Sequence, residues 1–450
     1  MALLGSSVTI AVRREIAPRL EDNLGTILVV GTNISYDDSS VTERYADPDE
    51  IIDDDNVSGV TTSDYEYLAV ESIYAQGPWN PSYVVVAPRG TPVAQVMNVL
   101  VDGNDNGSYV VTINGTAFTY SASSASGADI HAALLSAVNG GSQPVTASGT
   151  SPNLVLTADN AGEPFTASVS APSDNLVLTT TTANTGYFEL LTAIAADDDT
   201  WFGLVIEDRA DHHLRQAARY AEANNKFFFG QSDDSAGIGG SGSTDIVSIL
   251  SALSYNNTAI MLYSDDAVPA AEAAMGAKLP VPLDRQVTTW AYANLVGILP
   301  DTWSTTVQTN ARTKGANIYS TKFSRNVMWE GTTVTGQYID TTMTIEWTKR
   351  RLPPRIFDLF AEESANGARV PLSDQGIAQV LGIIEAFGDE GEDIGHFSAG
   401  TSEIINPPRR STLTDAEVST RTINPYWQAE ITGAIHVVNL TADLVSSGLS

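Results

Sequence analysis

From Thr200 to Gly230 the chain reads TWFGLVIEDRADHHLRQAARYAEANNKFFFG. An unbroken apolar run over 201–206 is followed by a helical pattern over 209–224 and a second apolar run over 226–230. Two buried strands joined by one helix predict a parallel pair with the helix crossing a face of the sheet. The pattern extends in both directions. Downstream come a predicted helix over 244–253, a strand over 258–263, a helix over 268–276 and an apolar segment over 286–297. Upstream, 25–31 reads as a core strand, 64–75 as a helix stopped by Gly77-Pro78, and 82–87 as another strand. Alternation at this spacing predicts an α/β core built on a largely parallel sheet.

That α/β unit is expected over 19–90 and 186–311. Between its halves, 91–185 contains no lysine and is rich in Ser, Thr, Ala and Gly, with short alternating runs. Asn114-Gly115 between two such runs is a strong hairpin signal. One helix, over 127–138, interrupts the strands. The expectation is a small β-rich domain inserted in the α/β unit, its ends close together.

After residue 312 the texture shifts again, towards a C-terminal α+β domain over 312–450. Residues 312–369 carry nine basic and six acidic side chains. A long helix starts near Asp340, with Met343, Trp347, Ile356, Leu359 and Phe360 at helical spacing, and Pro353-Pro354 must kink or split it. Ser373 caps a second helix running to about Phe387, with Ile377, Val380, Leu381 and Ile384 on one face. The run over 430–440 is strand-like. A further strand-like stretch, over 8–12 in an N-terminal arm of residues 1–18, is isolated by Arg13, Arg14, Glu15 and Pro18. A lone strand has open backbone groups on both edges. It either folds back on its own chain or adds to another subunit's sheet.

Composition excludes several classes of function. The 450 residues suggest about three domains. Lys plus Arg total 23 against 54 Asp plus Glu, a net charge of −31, which opposes nucleic acid or an anionic membrane as main partner. Zero cysteines exclude disulfides, thiolate metal sites and cysteine nucleophiles. The opening residues lack the pattern of a secretion signal, and no stretch has the ~18 apolar residues of a membrane span. Charged residues are 17%, below the usual ~25%, so the surface is largely small and polar and suited to broad contact with other chains.

Candidate chemistry is thin. Asp102-Gly103-Asn104-Asp105-Asn106-Gly107 opens like a calcium loop, but position 12 is Ile113 rather than Glu, so a β-turn is the better reading. Gly237-Ile238-Gly239-Gly240-Ser241-Gly242 fits a dinucleotide fingerprint, but six residues including Asp233 and Asp234 separate it from the strand, and a flexible surface loop is expected. His212 and His213 are adjacent and expected to point to different sides. Within the acidic 37–71 stretch, with 12 acids and only Arg44 as a base, the triplet Asp53-Asp54-Asp55 reads as a solvated loop face rather than a metal site.

Three ordered blocks carry a family resemblance. The first runs from Thr42-Glu43-Arg44-Tyr45-Ala46-Asp47 through Asp64-Tyr65 and Ala69 to Tyr74-Ala75-Gln76-Gly77-Pro78-Trp79-Asn80-Pro81. The second is the inserted unit, with 109–120, Ala147 and Leu154-Val155-Leu156-Thr157. The third is Gly315-Ala316-Asn317-Ile318-Tyr319, Glu330-Gly331, Gly336-Gln337-Tyr338-Ile339-Asp340 and the helix through Trp347. In this order they resemble the contractile tail sheath proteins of tailed bacteriophages.

The resemblance implies a structural virion subunit, not an enzyme and without a cofactor, assembled in the bacterial cytoplasm. Copies would stack as six-membered rings around a tail tube, contract to drive it through the host envelope, and meet baseplate and tail terminator proteins. Val8, Ile10, Val12, Ile431, Ile435 and Val437 would lie on arm strands that join neighbouring subunits, with 13–18 and 406–410 as hinges. Lys349, Arg350, Arg351 and Glu385 are candidates for contact with the tube or another subunit. The acidic 37–71 and basic 312–355 regions would complement each other between subunits or against the tube. The alternatives are a surface-layer or adhesin-like array protein and, on the 237–242 motif, a dinucleotide-binding oxidoreductase.

Overall fold

The computed structural model of the chain describes residues 24–38 and 40–436. Its centre is an eight-stranded sheet in the order Arg325–Met328, Asn317–Lys322, Thr258–Leu262, Phe227–Ser232, Gly203–Ile206, Ile27–Gly31, Val84–Pro88, Glu43–Tyr45. The inner strands are parallel and an antiparallel strand closes each margin. Side chains alternate between two cores. Ile27 and Val29 face one, Leu28 and Val30 the other, and all four are fully buried, so the sequence shows a continuous apolar run.

Helices Tyr65–Tyr74 and Ala270–Lys278 cover the first face. Tyr187–Asp197, Asp211–Asn224, Ile246–Ala252 and Thr305–Lys314 cover the second. The predicted strands and helices of this unit form within a few residues of their expected bounds. The 286–297 segment is an exception. It is neither helix nor strand but irregular, with turns at 291–292 and 296–297, Ala291, Ala293 and Leu295 buried and Tyr292 and Val296 exposed. The sheet also continues past residue 312, because Asn317–Lys322 pairs in parallel with Thr258–Leu262.

Residues 94–184 hold a separate core, including Val99, Tyr109, Val111, Ile130, Leu134 and Leu154. It lies among a four-stranded sheet, a three-stranded sheet and the helix Gly127–Asn139, whose N-terminus is closed by a Ser126–Asp129 capping box. Asn114 (φ 48°) and Gly115 (φ 82°) form the expected two-residue turn. The unit leaves and re-enters the main fold at Val93 and Thr185, which exchange backbone hydrogen bonds of 2.9 and 3.1 Å.

The C-terminal part corrects two expectations. Helix Ile339–Ala365 is not split at Pro353-Pro354 but runs through both. The prolines remove two N–H donors, and side chains on either side tie the helix to the rest of the fold: Trp347 Nε1 and Arg351 bond Asp284 before them, and Arg355 pairs with Glu390 of helix Asp374–Ile394 after them. The terminal run is not a strand over its described part. Ile431 makes one antiparallel bridge to Phe397, and 432–436 is irregular. Val8, Ile10, Val12, Val437 and the 13–18 connector lie outside the described residues. Among the described residues no helix is long and apolar enough to cross a membrane.

Candidate functional site

In a parallel α/β sheet, ligands bind beyond the carboxyl ends of the strands, where the strand order reverses. Here that point lies between Ile27–Gly31 and Gly203–Ile206. Carboxylates fill it. Helix Tyr65–Tyr74 turns Glu66 inward, fully buried, and Glu66 Oε1 accepts from the amides of Asn33 (2.8 Å) and Ile34 (3.0 Å). Glu207 Oε2 accepts from the Thr32 amide at 2.6 Å. A Cβ on Gly31 would lie 2.1 Å from Glu66 Oε1, so glycine is the residue that lets the carboxylate in. Burial pushes the Glu66 carboxyl above its ordinary range, while its amide bonds pull the other way. The amides that would meet a pyrophosphate are already donors to protein carboxylates.

Two polar networks flank this plug. Buried Glu272 Oε1 accepts from Tyr65 Oη (2.6 Å) and Arg209 Nη2 (3.1 Å). Beside the junction with the inserted unit, Asp208 accepts from Tyr187 Oη (2.8 Å) and pairs with Arg89, which donates to His213 Nε2 at 2.7 Å. The His212 and His213 rings are neighbours, with centroids 3.9 Å apart, rather than pointing to different sides. The His213 imidazole is pushed down to about 4, chiefly by burial and also by His212 and Arg89, against the opposing pull of Asp208.

The 237–242 motif is not a loose loop. Ile238 is fully buried, Lys314 Nζ bonds Gly237 O and Asp245, and Asn310 bonds Gly239 O. The motif is thus pinned to helix Thr305–Lys314 through its carbonyl oxygens. At the calcium-like stretch, Asn175 bonds Asp105 and Asn106 Oδ1 accepts from the Ser124 amide, tying a turn together.

The candidate contact residues are dispersed. Arg351 pairs with Asp284, Arg350 donates to Asn225 O and stacks on Phe202, and Lys349 pairs with Glu346 while remaining half-exposed. Glu385 is exposed on helix Asp374–Ile394. Ile431 is held by its bridge, whereas Ile435 is 84% exposed. Beyond it, His436 bonds Thr289 Oγ1 at 2.9 Å and lies edge-on to Tyr292 and Tyr338.

Sequence reading missed the place to which His436 leads. A groove of about 1020 Å³ opens at the Asn317–Lys322/Arg325–Met328 margin, lined by Tyr292, Arg312, Lys322, Arg325, Trp329 and His436 among others. The hairpin tip, Phe323-Ser324, has positive φ at both residues, and Phe323 is 97% exposed. Inside, Met328 exchanges backbone bonds of 2.7 Å with Tyr292 and Ala293. The third resemblance block surrounds this margin. Gly315, Gly331 and Gly336 all adopt positive φ, and a Cβ on Gly331 would lie 2.5 Å from the Ala291 backbone nitrogen.

No family model matches the chain, and no curated protein does. It is similar to two solved structures. One is a sheath tail protein from Listeria innocua, 9% identical, covering 84% of this chain and 88% of that one with a TM-score of 0.46. The other is a sheath tail protein from Desulfitobacterium hafniense, 10% identical, covering 88% and 92% with a TM-score of 0.42.

Proposed function

We propose that the chain is the structural subunit of a contractile phage tail sheath. Copies polymerise as stacked rings around a tail tube, meet baseplate and terminator proteins at the ends, and contract to drive the tube through a host envelope. The observation that carries the reading is the course of the C-terminal segment. After its bridge at Ile431 it crosses the surface with Ile435 exposed and reaches, at His436, a groove beside the last strand of the central sheet. A segment led to a sheet margin in this way is placed for contact with the sheet of a neighbouring copy. The three ordered sequence blocks support the same reading. So does the filled crevice at the strand ends, which removes the footing of a dinucleotide-binding enzyme at that point.

Contraction would be a rigid-body rearrangement between two packed arrangements while the arms keep copies connected. The energy would be stored during assembly on the tube, so no nucleotide is needed. Negative-stain microscopy of the purified full chain tests the proposal. Rings or tubes are expected; a protein that stays monomeric at all concentrations overturns it.

A further inference from the structure

We propose that the basic groove at the Arg325–Met328 margin receives the acidic 47–55 segment of a second copy of this chain. The inference rests on the assembly reading above and deepens it by naming one contact.

In a chain of net charge −31, the groove is a local reversal of sign. Lys322 and Arg325 are exposed at its hairpin, Arg312 enters from the neighbouring helix, and Glu330 offsets part of that charge. Its floor is aromatic: Trp329 lies under both Lys322 Nζ (3.0 Å) and Arg312 Cζ (4.2 Å), and Tyr292 forms another wall. A cationic rim over an apolar floor fits an acidic segment that carries an apolar side chain at its centre.

The chain presents such a segment. Asp47, Asp49, Glu50, Asp53 and Asp55 are exposed on and around the short helix Asp49–Asp53. Ile52 is 41% exposed among them. Their hydrogen bonds include neutral donors: Tyr67 Oη donates to Asp49, and the Ala46 amide to Glu50. The segment follows directly on Glu43–Tyr45, the strand at the opposite end of the eight-stranded sheet from Arg325–Met328. Eight strands at ~4.8 Å spacing place the two margins about 34 Å apart. One molecule cannot bring its own acidic segment to its own groove, but each copy carries one half of the contact at either end. Head-to-tail contacts of this kind close into rings or run on as helical filaments. With a screening length of ~8 Å at physiological salt, only the docked surfaces feel the attraction.

Charge reversal in the full chain tests this, read by sedimentation velocity, with circular dichroism confirming the fold. The variants are Lys322→Glu with Arg325→Glu, and Asp53→Lys with Asp55→Lys. Each pair alone should weaken self-association about tenfold. An equimolar mixture should restore it, because each variant then carries the charge its partner's opposite end needs. Raising salt from about 0.05 to about 0.5 M should weaken the unmodified chain in the same direction. Association unchanged by either reversal overturns the proposal. So does a groove effect without an acidic-segment effect, which means another acidic partner occupies the groove, and so does a mixture that fails to recover. These results leave the sheath reading standing; an unmodified chain that never associates removes both.

Discussion

Gly31 owes its identity to a neighbour rather than to its own torsion angles. Its missing Cβ is the space in which the Glu66 carboxylate sits, and that carboxylate is the acceptor for the Asn33 and Ile34 amides. Gly31→Ala should expel it and leave two amides short of a partner, a loss of about 2–4 kcal/mol in urea unfolding. The pair Gly31→Ala, Glu66→Ala should be no less stable than Glu66→Ala alone, since the clash then has no object. At His213 the coupling is to protons. Its imidazole is held near 4 by burial, with Arg89 directed at Nε2, against ~6.5 in an unfolded chain. Between those values the unfolded chain binds the extra proton. The stability His213 contributes is therefore complete above about pH 6.5 and is lost as pH falls towards 4, at up to about 1.4 kcal/mol per unit. His213→Gln keeps an acceptor for Arg89 and removes the titration. Its loss of stability between pH 7 and pH 5 should be smaller than that of the unmodified chain.

At the scale of elements, what was legible in the sequence is what local chemistry decides. Strands buried on both faces announce themselves as unbroken apolar runs, and Asn114-Gly115 names its own turn. Distant partners decided the rest. Helix Ile339–Ala365 runs through two prolines and is tied on either side of them to Asp284 and Glu390, which lie some distance from them in the chain. The glycines of 237–242 are fixed by Lys314 and Asn310 rather than left free. The irregular 286–297 segment alternates in burial over 291–296, where it lies along the sheet margin, a context its own residues do not state. Glu66 was readable in principle. It shares helical spacing with Ala69, Val70 and Ile73, all fully buried, and so belonged to the inward face of its helix rather than to the acidic loop around it. The groove was not readable, since its cations and aromatics come together only when the 317–328 hairpin closes against 291–294.

At the scale of the whole molecule, the inserted unit and the main fold are two cores joined by a narrow seam. The backbone crossing is the Val93–Thr185 bridge, where two mutual hydrogen bonds set the ends at ordinary cross-strand distance. The side-chain seam is small: Arg215 pairs with Glu163 at 2.9 Å, and Gly162 packs on Gly186 so closely that a Cβ on the latter would lie 2.2 Å from the former's carbonyl oxygen. Neither contact supplies apolar burial of the size found within each core, so each core should hold itself. Replacing residues 94–184 by a two-residue Asn-Gly turn should leave a chain that still unfolds cooperatively, within a few degrees of the parent's main transition. The excised unit, made separately as residues 91–185, should show its own single transition, as its size permits. The excision removes six carboxylates and no lysine or arginine, so electrostatic repulsion within the remainder should fall. Loss of the cooperative transition in the shortened chain would mean that the seam, not the separate cores, holds the main fold together.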